Sequence, residues 1–338
     1  MTYWVVLFLT YISTLISRRI FTLFIIFIFF FMAAFISPEV SHDFQNYYNG
    51  YYNSNGVLFP EPFSRIIFDG ARQLNFDISF GFFVFAVIAI TLKIRVLVKL
   101  QLPVSLFLLI YFSKLFLLLD MTQVRAGIAV ALCLMAFESY IKNKKTSSLL
   151  YVVLAFLFHL SSIMFLVMFL FDKSKPKVFF WLLVILLGVG VSFIDIKTYL
   201  FVLMTFMHAP TNYLSYLSGT SDFVVNPFNA LAMMNTTLFF AFCIFHAVLK
   251  TPVMNLAFKL YGVSVVSFYV FIDFPVLSFR ISEFFLVYQI VLLSCLYFNV
   301  KASQRWIYSS LVFMYASAQL YLTYNKAAII EPYSSFLF

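Results

Sequence analysis

Mostly apolar runs, each roughly 17 to 24 residues long, follow one another along this chain and leave only short polar stretches between them. A run of that length matches the hydrocarbon core of a bilayer, about 30 Å thick. Inside that core no water satisfies the backbone N–H and C=O groups, so each run must be a helix or one strand of a closed barrel. Barrel strands would alternate apolar and polar residues, and these runs do not. The pattern therefore predicts an all-α, polytopic transmembrane helical bundle of about 11 spans, with residues 1–338 forming one integral membrane domain. A soluble globule is excluded by balance, since 64% of the residues are hydrophobic and only 10% charged.

The net charge of +9 does not point to nucleic acid, because Lys and Arg fall in short clusters between the apolar runs. Such clusters mark cytoplasmic turns, and the bilayer is the partner they imply. On that rule residues 3–17 span, Arg18-Arg19 turn in the cytoplasm, and residues 20–36 cross out to a first outer loop over 37–75. Residues 78–92 return to a cytoplasmic stretch holding Lys93, Arg95 and Lys99, 103–119 cross out to Asp120, and 123–141 come back to the basic turn 142–145. Further on, 178–194 lead to a second outer loop, 195–229, whose portion 196–207 reads as an interfacial helix and whose remainder, with Tyr213, Tyr216 and Gly219, reads as a flexible lid. Residues 230–249, 258–274, the stretch from Arg280 to Lys301, and 306–324 complete the spans. Most of the 22 basic residues, Lys259 among them, then lie inside, and most of the 13 acids outside, Glu138 and Asp172 excepted. No cleaved signal peptide is expected, because Arg18 and Arg19 follow the first apolar run. Cys133, Cys243 and Cys295 sit inside apolar runs without metal-like spacing and read as small buried residues.

The apolar run 148–171 is flanked by basic clusters on both sides, 142–145 before it and Lys173, Lys175 and Lys177 after it. Two half-length helices turning near His159 as a re-entrant helical hairpin would keep both clusters in the cytoplasm; a single tilted helix is the alternative. In the hairpin, His159 lines a cavity at or above mid-membrane.

Cations left on the outer side are not orientation signals and so become candidates for binding an anion: Arg65, Arg72, Arg125, Lys197, Arg280 and Lys326. Arg125 and Arg280 each open a helix entering from outside, where a positive helix end adds to the guanidinium. Snorkelling, or pairing with Asp120, Asp273 or Glu283, is the ordinary alternative. His159 could position or protonate a phosphate or act as a base, or simply hydrogen-bond within the bundle. His208 and His246 have weaker cases, and His42 reads as solvated loop. Asp43, Glu61 and Glu283 are candidate bases for an attacking sugar hydroxyl. Tyr47, Tyr48, Tyr51, Tyr52, Phe59 and Phe63 could stack on sugar rings or form an interfacial aromatic belt. No His pair or carboxylate cluster has the spacing of a metal site.

Four pieces of the chain resemble the EpsG-like branch of the Wzy-type polysaccharide polymerases, which extend O-antigen, capsule or exopolysaccharide chains. They are His42-Asp43-Phe44-Gln45-Asn46-Tyr47 followed by Pro60-Glu61-Pro62-Phe63; Asp120 to Ala129, containing Arg125; Leu157-Phe158-His159-Leu160-Ser161-Ser162-Ile163; and Phe279-Arg280-Ile281-Ser282-Glu283-Phe284-Phe285. They occur in family order over most of the chain, and the Arg125-to-His159 part is the most specific. Pro62 stands where the family usually has Gly, and the similarity at Pro332-Tyr333 is weak.

The resemblance implies a multi-pass protein of the bacterial inner membrane with an architecture similar to the GT-C class. It implies a metal-independent, inverting glycosyltransferase that needs no cofactor. Donor and acceptor would both be oligosaccharides linked to undecaprenyl diphosphate, a growing glycan and a single repeat unit, met on the periplasmic or outer face, with a chain-length regulator as a further partner. Arg125, Arg280, Arg65 and in part His159 would hold the diphosphate, Asp43, Glu61 or His159 would handle the acceptor hydroxyl, and Asp120 and Glu283 would support the Args. Rival readings are a flippase or other transporter of lipid-linked oligosaccharide, an O-antigen ligase, and a non-enzymatic scaffold.

Overall fold

The computed structural model describes residues 1–16, 18–53, 61–206 and 225–335. Among them helices dominate, and the sole β pairing is an isolated antiparallel bridge between Ile36 and Ser335. Phe59, Pro60, His208, Tyr213, Tyr216 and Gly219 lie outside the described residues, as does most of the expected lid. The chain forms two compact units: Met1–Lys173 with Pro252–Met254 and Gln289–Phe338, and Ser174–Thr251 with Asn255–Tyr288.

Eight α-helices open the first unit: α1 Thr2–Ile16, α2 Arg19–Ala34, α3 His42–Asn53, α4 Pro62–Gln73, α5 Ile78–Lys99, α6 Val104–Tyr111, α7 Val124–Ile141 and α8 Lys145–Phe158. The expected first outer loop therefore contains two helices. A π-helix, Phe112–Asp120, follows α6, a 3-10 helix, Leu160–Leu170, follows α8, and the last α-helix among the described residues, Arg305–Leu320, runs into a π-helix, Tyr321–Lys326. At the centre is α7, in which every residue from Ala126 to Tyr140 is buried. Its small residues Ala126, Gly127, Ala129, Ala131 and Ala136 let neighbouring backbones approach, which in lipid replaces the hydrophobic effect as the reason to pack. Gly127 is required at its place: a Cβ there would lie 2.6 Å from the Leu119 carbonyl oxygen and 2.9 Å from Asp120 Oδ1. The helix stops at Asn143, whose left-handed φ of 62° returns N–H groups to the last carbonyls, Asn143 to Tyr140 and Lys144 to Ser139.

The two ends of this unit differ in chemistry. At one end, the α1 start, the 36–40 turn and the C-terminal segment are tied together by Tyr3 OH donating to the Glu331 carbonyl at 2.9 Å and by Glu331 N–H donating to the Val40 carbonyl at 2.9 Å. At the other, Ser13, Thr22 and Ser105 bond to one another where α1 ends and α2 and α6 begin, Thr22 and Ser105 at 2.9 Å.

The run 148–171 is not one helix. Alpha-helix ends at Phe158, His159 is extended at φ −156° and ψ 116°, and the chain returns as the 3-10 helix Leu160–Leu170. Its far end lies back beside the turn from which α8 sets out: Tyr140 OH donates to the Phe171 carbonyl at 2.9 Å, and Lys173 Nζ to the Ile141 carbonyl at 3.2 Å. At about 1.5 Å rise per α-residue and about 2.0 Å per 3-10 residue, both limbs are roughly 21–22 Å long, too short to cross a bilayer and matched so that the chain comes back level. This is the hairpin geometry of the two sequence alternatives, with the second limb in 3-10 rather than α form.

Within the second unit are α9 Val178–Val191, α10 Ile196–Phe206 and α11 Ala230–Ile244, with most of α12 Pro252–Val270 and the first part of α13 Pro275–Leu296, whose residues from Gln289 on belong to the first unit. The Trp181 ring lies against Gly262, where a Cβ would meet it at 2.3 Å, and Tyr261 OH donates to the Asn235 carbonyl at 2.6 Å. Asp273 accepts from the Ile196 N–H at 2.7 Å, so it caps the start of α10 instead of pairing with an Arg. Among the described residues four helices, Ile78–Lys99, Val124–Ile141, Pro252–Val270 and Pro275–Asn299, are long and apolar enough to cross a membrane, and shorter apolar helices accompany them.

Two expectations about charge fail here. The helix begun at Ile78 runs on to Lys99, so Lys93 is a buried helical residue bonded to Asp120 and not a loop charge in the cytoplasm. Likewise α12 begins at Pro252, ahead of the expected 258, which places Lys259 inside the helix, where it is buried.

Candidate active site

Three elements far apart in sequence bring Glu61, Arg125 and His159 together. Arg125 is the second residue of α7, where the helix N-terminus adds positive potential. Glu61 holds the N-cap position of α4 but makes no capping bond with its side chain. Its Oε2 accepts from Arg125 Nη1 at 2.5 Å, and its Oε1 lies 3.6 Å from His159 Nδ1. Pro62, the departure from the usual family residue, occupies the first turn of α4, where a missing N–H costs nothing. The hairpin tip is gripped by that same turn: Ser64 Oγ donates to the Phe158 carbonyl at 2.9 Å, and the Phe63 ring meets the Phe158 ring edge-on at 5.4 Å. Tyr47 of α3 completes the group. Its ring lies under the guanidinium at 5.7 Å, and its hydroxyl accepts from Arg125 Nε at 3.4 Å.

Burial opposes ionisation of Glu61, but His159 and Arg125 outweigh it and bring its carboxyl from 4.5 down to about 2. Burial pushes the Tyr47 phenol up, so it stays protonated as a donor. Glu61 is therefore a carboxylate already engaged by a cation, a poor proton acceptor while Arg125 holds it. His159 Nδ1 is buried without a hydrogen-bond partner, the Glu61 contact being longer than a bond. The arrangement can present an Arg to an anion and an imidazole to a hydroxyl within one small volume.

The other expected residues fall elsewhere. Asp43 lies in the first turn of α3, half-buried, and its charge is felt by Tyr47. Arg65, half-buried, follows Ser64 in α4, and Arg72 pairs with Asp69 at 2.7 Å. Asp120 does not bond to Arg125: it accepts from Lys93 Nζ at 2.6 Å and from Tyr111 OH at 2.7 Å, its side chain fully enclosed. Arg280 and Glu283 belong to the second unit, Arg280 exposed and Glu283 buried. Arg280 is the sixth residue of α13, in its second turn, so the helix end reinforces it less than expected. His246 is exposed, with Nδ1 3.1 Å from the Cys243 carbonyl. Among the described residues no three of His, Cys, Asp and Glu gather as a metal site would need. Sequence reasoning missed Tyr47 as the partner of Arg125 and Lys93 as the partner of Asp120; a Lys inside an apolar stretch, with an Asp closing the next one, was the available signal for the second pair.

The model of the EpsG family matches residues 19–335, a range that holds every one of these side chains. The chain belongs to the EpsG family. It is thereby a multi-pass membrane protein of the exopolysaccharide and O-antigen polymerase type. No curated protein and no solved structure is similar enough to this EpsG-family chain to count as a match.

Proposed function

We propose that the chain is a polysaccharide polymerase that transfers a growing glycan from undecaprenyl diphosphate to the non-reducing end of a lipid-linked repeat unit. The reaction takes place on the outer face of the bacterial inner membrane, with inversion and without a metal. The observation that carries this reading is the joining of Arg125 to Glu61 and His159 at the end of α7 away from the basic turn around Lys142. By the positive-inside rule that end faces outward.

In the reaction the acceptor hydroxyl attacks the anomeric carbon, the bond from that carbon to the diphosphate oxygen breaks, and the hydroxyl proton passes to a base. Arg125 stabilises the negative charge growing on the departing diphosphate, the kind of term that often dominates catalysis. Arg65 serves as a further diphosphate ligand, and Asp43 or His159 takes the proton. The GT-C-like architecture and a chain-length-regulating partner belong to the same proposal. Purified protein in proteoliposomes, given synthetic undecaprenyl-diphosphate-linked repeat unit with and without chelator, should make ladders of longer lipid-linked glycan in both conditions. Absence of elongation, with active transport of the same lipid across the bilayer, would replace the polymerase with a flippase.

A further inference from the structure

Glu61 has one carboxylate and two claimants. Its Oε2 is bonded to Arg125, and its Oε1 stops 3.6 Å from His159 Nδ1, a few tenths of an ångström beyond a hydrogen bond. The imidazole nitrogen is buried and has no hydrogen-bond partner, an unfavourable state that a small movement of Glu61 would relieve. Access to the three groups is unequal: the Arg125 side chain is 23% exposed and the Glu61 side chain 4%. An incoming anion therefore meets the guanidinium first, with the carboxylate behind it. The backbone is pinned by Ser64 on the Phe158 carbonyl, whereas the Glu61 side chain makes no capping bond to α4 and is held through Arg125.

From this geometry, and resting on the function proposed above, we infer that Glu61 is a displaceable counter-ion: the donor diphosphate takes Arg125 from it, and the freed carboxylate closes on His159 Nδ1. The exchange is favourable because a lipid-linked diphosphate carries more negative charge than one carboxylate and offers Arg125 bidentate acceptors. Once Glu61 accepts from Nδ1–H, the imidazole is held in one tautomer, with Nε2 unprotonated and able to accept. The base becomes competent when the donor is seated. Nε2 then takes the acceptor's hydroxyl proton as the oxygen bonds to the anomeric carbon and the diphosphate leaves with the electron pair, so the imidazolium faces Glu61 and the diphosphate faces Arg125. Coupling the two events keeps an activated base away from water while the donor site is empty. Glu61 is on this account a positioning residue. Among the described residues, the Glu61 carboxylate that faces His159 also feels Arg125 on α7, which is bonded to Tyr47 on α3, whose phenol in turn feels Asp43.

The test uses full-length protein in nanodiscs, with undecaprenyl diphosphate as the binding probe and synthetic lipid-linked repeat unit as substrate. Glu61→Gln should bind undecaprenyl diphosphate at least as tightly as wild type, since Arg125 loses its competitor. It should lower kcat by roughly 10- to 100-fold and move the acid limb of the kcat–pH profile to lower pH. Glu61→Asp should recover part of kcat and the position of that limb. If Glu61 merely holds Arg125 in place, Glu61→Gln instead binds the probe more weakly and leaves the pH profile unmoved. Either of these results overturns the inference. A wild-type protein that binds the probe but never elongates sinks the polymerase reading itself, and is distinguished because it involves no variant.

Discussion

The first unit contains two acid–cation pairs that look alike as chemistry and differ as environments. Lys93 and Asp120 meet at 2.6 Å with side chains 4% and 0% exposed, and Tyr111 takes the second carboxylate oxygen, so every strong hydrogen-bonding need of Asp120 is met from inside the bundle. Arg125 and Glu61, begun only five residues further along the chain, leave the guanidinium 23% exposed and place beside it an imidazole nitrogen with no hydrogen-bond partner. A sealed and saturated pair holds helices in register. An open pair with an unmet partner is poised to exchange. The π-helix Phe112–Asp120 and the close approach at Gly127 join the two, so the sealed pair fixes where α7 begins and hence where Arg125 stands.

That contrast can be broken by substitution, beginning with the largest effect. Asp120→Ala leaves Lys93 buried and unpaired and should cost about 3–5 kcal/mol, seen as lost monodisperse protein in detergent. Arg125→Ala should keep folded yield and lower elongation by roughly 10²–10³-fold. Should the two swap phenotypes, the division into structural and functional pairs is wrong. The double variant Lys93→Met with Asp120→Leu, judged by melting temperature, should regain most of the stability that Asp120→Ala loses, because an apolar pair of similar volume can replace a buried ion pair. Next in size is Gly127→Ala, which forces a methyl group against the Leu119 carbonyl and should cost about 1–3 kcal/mol.

Acid separates the pairs further. Because the Glu61 carboxyl is held at about 2 against an ordinary 4.5, its contribution to stability is complete above about pH 4.5 and is lost as pH falls toward 2. The melting temperature of wild type should therefore decline relative to Glu61→Gln between those values. A constant difference would mean that the carboxylate is not held as described. Smallest of all, Pro62→Gly, which restores the usual family residue, should lower stability by about 0.4–1 kcal/mol through the unfolded chain and leave elongation intact.

Much of this was legible in the sequence, for identifiable reasons. Apolar runs located the membrane helices, because backbone satisfaction in lipid leaves few alternatives, but not all of their ends: the helix from Ile78 runs on to Lys99 and the one expected from 258 begins at Pro252. Basic clusters on both sides of 148–171 forced the question of a turn at His159, and the chain does reverse there. Charge pattern misled where a cation was buried: Lys93 and Lys259 read as cytoplasmic markers because a one-dimensional rule has no way to see a partner 27 residues away or a helix that starts early. The grouping of Glu61, Arg125 and His159 was expected only as separate candidates, since the contact is made by the docking of the α4 turn on the hairpin tip, a tertiary event. From the sequence Tyr47 reads as a sugar-stacking or interfacial-belt aromatic, and its place under Arg125 is visible only in the folded chain.

The most direct test of the central claim is the size distribution of lipid-linked and surface glycan in cells that make Arg125→Ala at wild-type abundance in the membrane. The account predicts glycan arrested at a single repeat unit. Normal chain lengths from that variant would contradict it, because the group assigned to receive the diphosphate would then be dispensable.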